Sequence, residues 1–255
     1  MRPLALVTGA SAGIGREFAE QLAARGYDLV LVARDQARLT ALAERLRERG
    51  ASSEVLTADL ARDADVDRVV GRIRELPRLD LLVNNAGFGT RGTLAETAPG
   101  PQETMIRVHV LATMRLTQAA LPGMVARGAG AIVNVASIAA FIASPRNVNY
   151  CATKAYVVTF TEGLAAELRG TGVRAQALCP GFTHSEFHAR MASNKKAIPD
   201  FMWLDAPHVV RTSLDAVEHG GPTVVVPGVG YKVVIPLLRM IPRGLVSRVS
   251  GLVRR

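Results

Sequence analysis

The chain has 255 residues, of which 49% are hydrophobic and 21% charged, the balance of a folded domain rather than of a disordered or fibrous chain. Lys and Arg total 31 against 22 acids, a net charge of +9, but six of the basic residues fall in 231–255, where there is no acid, and aromatic residues are only 5%. The excess is therefore terminal, no stacking platform for nucleic acid is present, and no nucleic-acid partner is expected. At about 100–200 residues per domain, one large domain is predicted. Lys232, Pro236 and Arg239 interrupt the best apolar run, which falls short of the roughly 18 apolar residues of a spanning helix. Met1-Arg2-Pro3 leads straight into Leu4-Ala5-Leu6-Val7 without a secretory pattern, and Cys151 and Cys179 lack metal or redox spacing. A reducing cytoplasm and no metal site are the expectations.

In chain order, residues 4–8, 28–33, 53–58, 79–84, 131–136, 173–178 and 223–226 read as short strands. Between them lie segments with one apolar face, such as Ile14, Phe18 and Leu22 within 14–25, and the stretch 39–46. Runs such as Leu29-Val30-Leu31-Val32 are apolar on both faces, as a parallel sheet covered by helices on both sides requires. The predicted fold is α/β, a single doubly wound Rossmann-type domain with a seven-stranded parallel sheet. Residues 184–204 break the rhythm and read as an insertion over the substrate, closed by Asp205 and Pro207 at a helix start. Residues 1–228 would form the catalytic domain, and 229–255 a basic, apolar extension.

After the first strand, Thr8-Gly9-Ala10-Ser11-Ala12-Gly13-Ile14-Gly15 opens a helix, where glycines let the backbone approach a pyrophosphate at a positive helix end. A tight strand-to-helix turn is the alternative for this segment alone. At the tip of the second strand, where a carboxylate would meet a ribose 2′-hydroxyl, stands Arg34. Its guanidinium suits a 2′-phosphate, favouring NADP over NAD, with Arg16 a second charge beside the turn. Asp59 and Leu60 follow the third strand and lie either beside an adenine or, for Asp59, at a helix cap. Asn84 and Asn85 can tie strand ends together, while Ala86 and Gly87 leave room for a ribose.

Further on, Tyr150 and Lys154 stand four apart on one helical face. A phenol with an ordinary pKa near 10 would be drawn toward its anion by the cation, which suits proton exchange with a carbonyl or alcohol oxygen. Ser137 ends the fifth strand, on the sheet edge where open α/β sheets bind ligands.

Together, T-G-x-x-x-G-I-G at 8–15, N-N-A-G at 84–87, Ser137, Tyr150-x-x-x-Lys154 and Pro180-Gly181 resemble the short-chain dehydrogenase/reductase family, in its order and spacing over about residues 3–228. The resemblance implies a nicotinamide cofactor and hydride transfer to a carbonyl carbon. Tyr150 would then be the acid, Lys154 would lower its pKa and hold the nicotinamide ribose, and Ser137 would bond the substrate oxygen. Asn85 and Gly87 would touch the ribose, and Thr183, after Pro180 and Gly181, would meet the carboxamide. A homodimer or homotetramer is also implied. His109 stands where the family usually has Asn, whose backbone carbonyl holds a relay water; the imidazole either joins the relay or is simply packed.

Phe88, Ile138, Phe141, Phe182, Phe187, Met191, Phe201, Met202 and Trp203 fall in segments expected to rim the nicotinamide, which points to a hydrophobic ketone or aldehyde. The ending is similar to the branch that includes ketoacyl and hydroxysteroid reductases. The rival reading is a non-catalytic NADP-binding interaction protein. Leu245, Val246, Val249, Leu252 and Val253 form one helical stripe, which would pack on the protein in preference to an anionic membrane surface.

Overall fold

The computed structural model describes residues 2–90, 92–184, 199–228 and 230–231; the 245–253 stripe and most of the 184–204 insertion lie outside them. Seven strands, β1 (Leu4–Thr8), β2 (Asp28–Ala33), β3 (Ser53–Thr57), β4 (Leu81–Asn84), β5 (Gly130–Val135), β6 (Val173–Leu178) and β7 (Val224–Val225), form one sheet in the order β3-β2-β1-β4-β5-β6-β7. Every pairing is parallel.

The double-sided apolar strands divide between two cores. Ala5, Val7, Leu29, Leu31, Leu81, Val83 and Val133 face one, while the alternate Leu6, Val30, Val32, Leu82 and Ile132 face the other, as the two-residue period dictates. The first core is closed by α1 (Gly13–Ala24), α2 (Gln36–Glu48) and the last helix, α7 (Ala206–Glu218). The second is closed by α3 (Asp63–Glu75), α5 (Thr113–Arg127) and α6 (Val148–Glu167). A helix α4 (Pro99–Ile106) runs into α5 through a π-helical turn, Arg107–Ala112.

Local chemistry sets the boundaries. Asp35 caps α2 by accepting from Arg38 N at 3.0 Å, and Asp205 caps α7 by accepting from His208 N at 2.7 Å, with Pro207 in the first turn. β4 begins at Leu81 rather than at residue 79, because the Asp80 carboxylate takes the Leu4 N–H at 2.9 Å that a ladder carbonyl would otherwise accept. The strand order reverses between β1 and β4, which brings the Gly9 turn beside Asn84–Gly87 at the C-terminal sheet edge, the ligand crevice of open α/β sheets.

Candidate active site

The phosphate end is built by two turns locked together. Thr8 Oγ1 accepts from Asn85 N at 2.9 Å and Ala86 N at 3.0 Å and donates to Val83 O at 3.3 Å, while Asn85 Nδ2 donates to Thr8 O at 2.9 Å. The Asn85 amide thus lies behind the glycine turn: a Cβ on Gly9 would come within 2.7 Å of it, and one on Gly15 within 2.3 Å of both that amide and Gly9 O. Gly9 and Gly13 also take φ of +68° and +55°, a region L side chains rarely occupy. Ile14 packs into the core below, and Ser11 lies within the turn.

Whereas α2 and α7 are capped by aspartates, α1 has no side-chain cap, and its first turn carries no acid. Its amide dipoles therefore face outward without a resident anion, above a floor smoothed by glycine. That arrangement fits the pyrophosphate of a dinucleotide. Arg34 is exposed, and its side chain makes no ion pair or hydrogen bond among the described residues. Arg16 has only a loose 3.8 Å pairing with Glu20, whereas Arg38 is tied to Asp35 at 3.3 Å. Asp59 does not cap α3: its Oδ1 accepts from Ala61 N at 3.1 Å, closing its own turn. The Leu60 side chain belongs to the second core.

At the reacting end, Tyr150 and Lys154 share the first two turns of α6, with Lys154 Nζ 5.9 Å from the Tyr150 ring centroid. Ser137 caps a short 3₁₀ turn, Ile138–Phe141, its Oγ accepting from Ala139 N at 3.1 Å. It also hydrogen-bonds Tyr150, which favours the phenolate, but desolvation outweighs that bond and pushes the phenol up to about 12. The expected lowering by Lys154 is not seen. The ammonium donates to Val135 O at 2.8 Å instead, and burial brings its own pKa down to about 8. A Cβ on Gly87 would stand 3.6 Å from Lys154 Nζ, so the ammonium lies against the Gly87 turn.

His109 is 1% exposed, inside the π turn. Its Nε2 accepts from Phe88 N at 3.0 Å and its Nδ1 lies 3.0 Å from Thr153 Oγ1, which donates to Tyr150 O at 3.0 Å. Burial, and then the Lys154 charge, hold the imidazole well below the usual 6.5. On the far side of the crevice, Pro180 O accepts from Ile138 N at 3.1 Å, tying the loop after β6 to the Ser137 turn. Thr183 is buried, donates to Gly181 O at 3.1 Å and bridges to Leu204.

The sequence profile described as short chain dehydrogenase matches residues 3–196, about three quarters of the chain. The chain belongs to the short-chain dehydrogenase family. It is 34% identical over 201 residues to 3-oxoacyl-(acyl-carrier-protein) reductase FabG of Staphylococcus aureus, covering 77% of this chain and 80% of that one. Among solved structures, a short-chain dehydrogenase from Sphingobium yanoikuyae in complex with NADPH superposes with a TM-score of 0.87 at 38% identity, covering 95% and 94% of the two chains. The bulky-bulky ketone specific alcohol dehydrogenase from Comamonas testosteroni superposes at 0.81 and 32% identity, covering 95% and 93%.

Within this short-chain dehydrogenase, the fold gathers Gly9 to Gly15, Asn85 to Gly87, Ser137, Tyr150, Lys154 and Pro180 to Thr183 along one sheet edge. Three contributors are not among the motif residues of the sequence. Thr153 is hidden inside the Tyr-x-x-x-Lys spacing, and Asn134 bonds the buried Asn84 amide at 2.9 Å and Thr161 at 3.0 Å beneath the site. Tyr231 lays its ring where a Gly181 side chain would be, its hydroxyl donating to Met202 O at 2.8 Å. Each is recognised only through a partner far along the chain, though Asn134, a polar residue in an apolar strand, is the kind of mark that could have been noticed.

Proposed function

We propose that this short-chain dehydrogenase is an NADPH-dependent reductase of hydrophobic ketones or aldehydes. The observation that carries the reading is the half-buried Tyr150, hydrogen-bonded to Ser137 and one helical turn from Lys154, whose ammonium lies beside Gly87. Bound nicotinamide would supply the hydride. Ser137 would hold the substrate oxygen, and Tyr150, whose raised pKa keeps the phenol protonated at neutral pH, would give that oxygen its proton. Lys154 would hold the ribose from beside Gly87 and, once shared with the ribose and phenol, steady the tyrosinate left behind. Alcohol oxidation is the same path reversed.

Arg34, exposed and without a carboxylate partner among the described residues, supports preference for the 2′-phosphate, with Arg16 nearby in sequence at the α1 start. Phe182 and Trp203, with ring centroids 5.7 Å apart after the Pro180-Gly181 turn, would give the crevice an apolar rim. The name of the Comamonas relative, specific for bulky-bulky ketones, agrees with such a rim. Incubation with NADPH and a panel of apolar ketones, followed at the nicotinamide absorbance, should show oxidation above background that NADH matches only weakly. No oxidation across the panel would remove the reading. A homodimer or homotetramer is proposed with it, on exposed Ile106, Leu111 and Val125 along α4 to α5, and sedimentation velocity tests it. Among the described residues no helix is long and apolar enough to cross a membrane.

A further inference from the structure

We propose that His109 is a neutral positioning residue that fastens the Gly87-Phe88 turn to the catalytic helix α6 through Thr153, and that it carries no proton in the reaction. The kinetic consequences rest on the reductase reading; the bonding does not. The direction of each hydrogen bond is fixed by chemistry. Phe88 N can only donate, so Nε2 must present its lone pair and the imidazole proton sits on Nδ1. Nδ1 then donates to Thr153 Oγ1, whose own proton goes to Tyr150 O. The chain of three bonds therefore begins at a peptide N–H and ends at a peptide carbonyl. Neither end exchanges protons with substrate, so the chain is a tie and not a wire.

The surroundings of the ring agree. Gly87 is the space that the imidazole fills, since a Cβ there would stand 2.9 Å from Nε2 and 3.3 Å from Cδ2. The ring is also boxed by Phe88 and Tyr150, each with its centroid 5.9 Å away at a steep angle. Lys154 is the charged group that faces it and Tyr150 the other titratable one, and the cation opposes an imidazolium. The π turn places His109 between the two elements it joins, in keeping with the frequent occurrence of such turns at functional sites. What the tie sets is the separation between the cofactor side of the crevice, at Gly87, and the Tyr150-Lys154 turn.

The test compares Thr153→Val, Thr153→Ser, His109→Leu and the Thr153→Val/His109→Leu double variant in the full chain. Thr153→Val, which keeps shape but loses the hydroxyl, should lower kcat about ten- to hundredfold, the scale of a small misplacement, and weaken NADPH binding. Thr153→Ser should restore both, and the double variant should be no worse than the poorer single one. In the wild type, ¹⁵N-histidine NMR should show His109 as the Nδ1–H tautomer, unprotonated at pH 6.5. A Thr153→Val enzyme with wild-type kcat and NADPH affinity, or a His109 that protonates near pH 6.5, would overturn the tie. If no ketone were reduced, the NMR and NADPH-binding arms would still decide it. If His109→Leu failed to fold, the Thr153 pair and the wild-type spectrum would do so.

Discussion

Burial pulls the two titrating groups of the site apart, the phenol up to about 12 and the ammonium down to about 8. In the proposed reaction, Tyr150→Phe would remove the proton donor but leave the cofactor held. Turnover should fall at least about 100-fold while NADPH affinity, read by fluorescence titration, stays nearly constant. Lys154 also shapes stability. Because its folded pKa lies below the ordinary 10.5, the unfolded chain binds more protons between pH 8 and 10.5, so the native state gains on the unfolded one as pH rises through that window. Above pH 10 the raised Tyr150 pKa works the other way. Denaturant midpoints should therefore rise from pH 8 to 10 in the wild type relative to Lys154→Met, which has nothing to titrate; parallel curves would refute the burial argument. At the other end of the crevice, Arg34→Ala should weaken NADPH by about 1.5–3 kcal/mol, the scale of a hydrogen bond to a charged group, and leave NADH nearly unchanged in the same titration.

At the level of strands and helices, the sequence is most legible where burial is symmetrical. Apolar pairs such as Leu29-Val30 and Leu31-Val32 serve two cores at once, so residues 28–33 can be assigned to a strand without knowing what lies on either side. The Leu31 side chain, fully buried against the α1 and α2 side, should show this in its energetics. Leu31→Ala should cost about 2–5 kcal/mol in urea unfolding, without altering the ratio of NADPH to NADH affinity. The α7 start was readable from Asp205 and Pro207, because a cap is a local contract among neighbouring residues. The start of β4 was not, because Asp80 answers to Leu4, 76 positions away. The π turn was invisible for a similar reason: 107–112 carries an ordinary helical pattern, and its widening goes with His109 reaching Phe88 and Thr153, 21 and 44 positions off.

On the scale of the molecule, the doubly wound architecture and the gathering of Ser137, Tyr150, Lys154 and the glycine turn at one edge followed from motif order and strand alternation. The tie between Tyr231 and Met202, and the Asn84-Asn134 seam, followed from neither, since they record how distant segments meet. The preference for arginine over lysine has a practical outcome. The chain has four lysines, and Lys154 is the only one among the described residues, shut away to 5% exposure. An amine with a pKa of about 8 is substantially unprotonated in mildly alkaline buffer, when ordinary surface lysines remain charged. Cyanate, small and uncharged as isocyanic acid, should therefore carbamylate Lys154 in step with loss of activity, read by peptide mass spectrometry. Saturating NADPH should slow that one modification far more than those at Lys195, Lys196 and Lys232, so a simple acylating reagent becomes a footprint of cofactor occupancy at a single buried nitrogen.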